Sequence, residues 1–190
     1  MKKMIFMAAA SLLVASCGSA FYTKEFTHQT SGVDFSNGKW LLGDIHMDGN
    51  YKAEFTKMVM ADFAQHLQGR IVNSLDQKSL LLSQTVPLNP SKSVMADLKK
   101  GTNYDYYINI KCADQRVHSD KDLIESTYYI KNMTYGVVQL EIYDLNQGVI
   151  VYSQRVHGRY DEHAGVSSKP SRQLIFGCYG RIINDIDKKS

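Results

Sequence analysis

The spacing of apolar residues divides the chain into stretches with distinct periods. Residues 39–47 (KWLLGDIHM) are rich in Trp, Leu and Ile and predict a first strand. Asp48-Gly49-Asn50 predicts a turn, with Asn50 placed to cap the helix that follows. Over residues 51–71, Phe55, Val59, Phe63 and Leu67 recur at every fourth position beside Met60 and Ala64, the buried stripe of an amphipathic helix. Lys52, Lys57, Asp62 and Gln65 fall mostly off that stripe, and Gly69 with the β-branched Ile71 and Val72 weakens the helix end. Residues 80–86 (LLLSQTV) predict a second, short strand closed by Pro87 and Pro90. Residues 91–100 (SKSVMADLKK) predict a short helix with Val94, Met95 and Leu98 inward and Gly101 as its C-cap.

From residue 104 the period changes to two. Tyr106, Ile108, Ile110 and Cys112 share one face of a third strand, over residues 104–117. A charged loop (HSDKDLIES, 118–126) leads to a long strand over 127–145, bent near Gly136. There Val138, Leu140 and Ile142 face one way and Gln139, Glu141 and Tyr143 the other. The hairpin connection Asp144-Leu145-Asn146-Gln147-Gly148 returns the chain into a last strand over 149–160. After a polar loop, residues 171–188 predict a final helix with Leu174, Ile175, Cys178, Ile182 and Ile186 on its buried stripe. The order is β-α-β-α-β-β-β-α, an α/β (α+β) chain with a single mixed sheet of about five strands covered by helices. The crossover helices require parallel pairing in the first half, and the meander is antiparallel.

The N-terminus follows a different logic. Lys2 and Lys3 precede an apolar stretch through Ala15, the form of a secretory signal. Its end, Leu13-Val14-Ala15-Ser16-Cys17, resembles the lipobox of bacterial lipoproteins, in which a peptidase cuts before the Cys and the Cys carries the lipids. The resemblance implies a signal peptide over residues 1–16 and a lipidated Cys17. It also implies a polar tether through residue 38, a folded domain over 39–190, and stable anchoring by several acyl chains. Gly18, rather than Asp, after the Cys implies the outer membrane, facing the periplasm. An extended tether of some 20 residues spans about 65 Å, although Phe21, Tyr22, Phe26 and Phe35 are more aromatic than a pure linker requires, so part of the stretch is a candidate to rest on the domain.

Composition narrows the class further. With 190 residues, 44% apolar and 22% charged, the chain is ordinary globular material. Loss of residues 1–16 removes two lysines and takes the net charge from +3 to +1, so nucleic acid is not an expected partner. Cys112 and Cys178 both lie on apolar faces. In an oxidising compartment they are either a disulfide or two separate buried hydrophobes. The six His fall in no HxH or HExxH pattern, and no metal, cofactor, nucleophile elbow, P-loop or GxGxxG is indicated. Asp114, His118 and Asp120 cluster at the end of the third strand, read here as a solvated loop rather than a small polar site.

Three local patterns carry a wider resemblance. They are Leu98-Lys99-Lys100-Gly101-Thr102-Asn103-Tyr104-Asp105-Tyr106-Tyr107-Ile108, the strand–hairpin–strand from Val138 to Ser153, and the C-terminal helix after a polar loop. Behind a lipobox, this order resembles the envelope superfamily of the curli-secretion lipoprotein, the lipoprotein activators of penicillin-binding proteins and the N-terminal domain of the Tol-Pal propeller protein. It implies a non-enzymatic, lipid-anchored module that binds an envelope protein, in cell-wall or outer-membrane assembly. Tyr128, Tyr129 and Tyr135 are its candidate contacts, because Tyr is enriched at interfaces. The alternatives are an envelope hydrolase, a small-ligand binder with an unrecognised site, or a secretion-pore subunit. The last is disfavoured by the absence of paired alternating membrane strands.

Overall fold

The structure, a computed structural model, describes residues 20–26, 33–77, 85–117, 132–162 and 171–189. Its strands are β1 (Phe21–Phe26), β2 (Trp40–Leu42), β3 (Ile71–Asn73), β4 (Tyr106–Val117), β5 (Asn132–Asp144) and β6 (Val149–Glu162). Its helices are α1 (Lys52–Leu67), α2 (Lys92–Thr102) and α3 (Ser171–Ile186), with a 3-10 turn at Ser74–Asp76. The six strands form one sheet in the order β1-β6-β5-β4-β2-β3. β2 runs parallel to both β3 and β4, and the pairs β4/β5, β5/β6 and β6/β1 are antiparallel. This is the single mixed sheet with helices that the apolar spacing predicts.

Several elements differ from the expectation. The sheet has six strands because part of the stretch read as tether, residues 21–26, pairs along β6 from Phe21↔Arg159 to Phe26↔Gln154. Val33 and Phe35 are also buried in the core, so the folded body reaches back well past residue 39. Tyr22 holds β1 in place. Its hydroxyl enters a notch that exists because residue 177 has no side chain; a Cβ there would lie 2.1 Å from that oxygen. The Arg181 guanidinium closes over the ring at 3.6 Å.

The first helix ends at Leu67, not at residue 71. Gln68 and Gly69 both take positive φ, and their N–H groups both close on the carbonyl of Ala64. The chain then turns, and the β-branched Ile71 and Val72 pair with Trp40 and Leu41. β3 is therefore the crossover partner of β2. Of the strand expected over 80–86, residues 80–84 lie outside the described residues, and Thr85 and Val86 are not in a strand. Only Trp40–Leu42 of the first expected strand is ladder; His46 makes an isolated bridge to Lys111. Tyr51, not Asn50, occupies the N-cap of α1, since its carbonyl accepts the first helical bond from Phe55. Gly101 lies inside α2, and Asn103, at φ 56°, makes the left-handed exit, a conformation Asn tolerates.

The two sheet faces have different fates. On one face, α1 (Phe55, Val59, Phe63) and α3 (Ile175, Cys178, Ile182) seal the alternating set that includes Ile108, Ile110, Val138, Leu140 and Val156. On the other, among the described residues, α2 covers one end, where Met95 and Leu98 meet Leu41, Tyr107, Tyr143 and Leu145.

Candidate functional site

Register carries the polar side chains of the second face into rows. Lys111, Gln139, Arg155 and Glu25 lie directly across from one another on β4, β5, β6 and β1. One row above are Ala113, Val137, His157 and Thr23. One row below are Asn109, Glu141 and Ser153. Opposite residues of neighbouring strands share a face, so each row is a contiguous strip of surface.

The lower row is roofed by the segment around residues 86–89. The Glu141 carboxylate is 1% exposed, and a buried carboxylate requires hydrogen-bond donors. It receives four: Tyr143 hydroxyl at 2.7 Å, Asn89 N–H at 2.8 Å, Gln139 Nε2 at 2.9 Å and Ser153 hydroxyl at 3.2 Å. Asn109 Nδ2 donates to the carbonyls of Val86 and Pro87 and to the Tyr143 hydroxyl. Because the Gln139 amide nitrogen is committed to Glu141, its Oε1 must turn to the middle row. There it accepts from both Nε and Nη2 of Arg155, at 2.8 and 2.5 Å. A buried network thus fixes the direction of a half-exposed guanidinium.

Above that row is a cleft of about 410 Å³. Lys111, Gln139 and Arg155 form part of its floor, Val137 and His157 continue it, and Leu88 and His46 stand at its sides. The volume falls within the range of ligand pockets, roughly 300–1,000 Å³. Its charge is uneven. Glu25 lies 3.6 Å from Arg155 and 3.1 Å from His157, whereas among the described residues Lys111 has no carboxylate within ion-pairing distance. Cys112 borders the cleft, but burial, with Cys178 and Asp114 nearby, pushes its thiol up to about 12. It is protonated at neutral pH and is no nucleophile. The chemistry offered is donation of hydrogen bonds and positive charge beside an apolar wall.

The residues singled out from sequence fall elsewhere or outside the described residues. Cys17, Tyr128, Tyr129, His118 and Asp120 lie outside them. Tyr135 is half-buried on β5, in the row of Phe21 and Arg159 on the same face as the cleft. Asp114 is exposed two positions along β4 from Cys112, which puts it on the helix-covered face near Tyr51 and away from the cleft. Cys112 and Cys178 are free, buried thiols of one apolar cluster. Sequence reading missed His46, Lys111, Gln139, Arg155 and His157 as a group. The available signal was polar alternation in three successive strands at matching offsets. Among the described residues no helix is long and apolar enough to cross a membrane, and no three His, Cys, Asp or Glu side chains gather to hold a metal.

No protein-family model and no curated protein matches the chain. Among solved structures, it is similar to a PelC dodecamer from Paraburkholderia phytofirmans, at 8% identity and a TM-score of 0.43, over 88% of this chain and 97% of that one. It is similar to the lipoprotein GNA1162 from Neisseria meningitidis, at 14% identity and a TM-score of 0.43, over 80% and 99%. A third is the hypothetical protein CT253 from Chlamydia trachomatis, at 9% identity and a TM-score of 0.43, over 80% and 95%. These likenesses assign no role to any residue of this chain.

Proposed function

We propose that the chain is a lipid-anchored accessory module of the bacterial envelope. It is held to the outer membrane through Cys17 and works by binding an envelope protein, in cell-wall or outer-membrane assembly, rather than by catalysis. The observation that carries this reading is the asymmetry of the sheet. One face is sealed by α1 and α3. Among the described residues, the other carries Tyr135, Arg159, His157, Arg155 and Lys111 beyond the end that α2 covers. A polar, Tyr- and Arg-bearing surface on a rigid scaffold suits recognition.

The position of β1 alters what the anchor does. With β1 docked, only residues 18–20 separate Cys17 from the sheet, a reach of about 14 Å instead of some 65 Å. The binding face would then work close to the membrane. A photo-crosslinker at Tyr135, compared with one at the exposed Lys57 on α1, tests the face. The reading expects one envelope protein captured from Tyr135 and not from Lys57; capture of none in repeated trials, or of the same set from both, counts against it. Cys17→Ala should abolish acyl labelling and release the protein from membranes, and unchanged attachment would refute the anchor. Small-ligand binding is a second reading, favoured by the cleft itself.

A further inference from the structure

We infer that the cleft between His46 and Arg155 binds a small amphipathic oxyanion, with its carboxylate or phosphate held between Lys111 and Arg155 above Gln139 and its apolar body against Leu88 and Val137. This goes beyond the protein-binding reading and does not depend on the lipid anchor.

Three observations converge on it. The first is spacing. Lys111 and Arg155 lie on either side of Gln139 in one row. Their backbones are therefore two strand intervals, about 10 Å, apart. Two long cationic side chains rooted at that separation can meet over a single anion, and His46, bridged to Lys111 from the β2 side, adds a third donor. The second is preorganisation. Arg155 is held through Nε and Nη2 by Gln139, which is held by Glu141, which is held by three further donors, Asn89, Tyr143 and Ser153. A salt bridge to a surface carboxylate needs no such support. The third is imbalance. Glu25 answers Arg155 and His157 at one end of the row, and Lys111 at the other end has no acidic partner among the described residues. The apolar wall of Leu88 and Val137 separates this from a bare inorganic-ion site.

The test is a titration of the full chain in neutral detergent, followed by NMR of the His46 and His157 rings. Phenyl phosphate and benzoate are the amphipathic oxyanions, benzyl alcohol the neutral control, and inorganic phosphate the ion without an apolar body. The expectation is saturable shifts of both rings with at least one aromatic anion. Lys111→Gln should weaken that affinity about tenfold or more, Lys57→Gln on α1 should leave it unchanged, and benzyl alcohol should produce no saturation. Arg155→Gln should weaken it too, but that change also disturbs Gln139, so Lys111→Gln is the deciding variant. Binding by neither anion, binding indifferent to Lys111→Gln, or equal binding of benzyl alcohol would overturn the site. Inorganic phosphate binding as tightly as phenyl phosphate would overturn the amphipathic assignment. Vesicles of phosphatidylglycerol against phosphatidylcholine, under the same Lys111→Gln comparison, tell a lipid headgroup from a free anion.

Discussion

Asp105 shows how much one short side chain can tie together. Its carboxylate accepts from Lys99 Nζ at 2.7 Å, from the Lys39 N–H at 2.9 Å and from Asn146 Nδ2 at 3.2 Å. Its backbone N–H donates to Lys39 and its carbonyl accepts from Leu145. It joins the start of β2, the end of α2 and the β5–β6 turn. These donors, the Lys99 bond foremost, hold its carboxyl down to about 2 from an ordinary 3.8. The folded state binds this proton less readily than the unfolded chain, so the stabilisation is complete above pH 4 and is lost as pH falls through 2. It amounts to about 2 kcal/mol. Asp105→Asn should cost about 1–2 kcal/mol in urea unfolding at pH 7 and should flatten the loss of stability between pH 4 and 2. The residue was visible in the chain as part of a helix-end pattern that also holds Lys99, but its distant partners, Asn146 at 41 positions and Lys39 at 66, were not.

At the level of elements, β1 is the most informative strand. Its Phe21 is exposed, and its Tyr22 ring is fixed in the Gly177 notch on the helix-covered face. Gly177→Ala would set a Cβ against the Tyr22 hydroxyl and expel the ring, while α3, whose interior gains a better helix former, should persist. The expected cost is about 1–3 kcal/mol. Amide exchange should accelerate across Tyr22–Phe26 and leave β4 and β5 protected; unchanged protection of β1 would show that the notch does not hold it. The aromatic content of residues 21–35 was a legible hint that this stretch is no plain linker. Nothing in the local pattern could say that its partner is β6. By contrast α1, α3 and the β5–β6 hairpin were readable almost to their ends, because fourfold and alternating spacings are local properties.

Considered as a whole molecule, the chain places its two described thiols in one core, Cys178 on α3 and Cys112 on β4. Burial pushes both up to about 12, with Cys178 eased slightly by Arg181. Native-state labelling by a thiol reagent should therefore be slow, should reach both cysteines together, and should speed up with denaturant in parallel with global unfolding. Rapid labelling of either one in the native state would show that α3 opens separately.

The periodicities of this chain were sufficient for the class of fold, the parallel-then-antiparallel halves and the identity of the buried face, since each depends on residues a few positions apart. They also marked Gln139, Glu141 and Tyr143 as facing away from that core. What required tertiary contacts was the set of neighbours each such residue would have. A strand's alternation says which face a side chain takes but not which residue of another strand stands beside it; that depends on hydrogen-bond register. Register brought His46, Lys111, Gln139 and Arg155 into one row. The same long-range fit turned residues 21–26 from a spacer into the edge of the sheet.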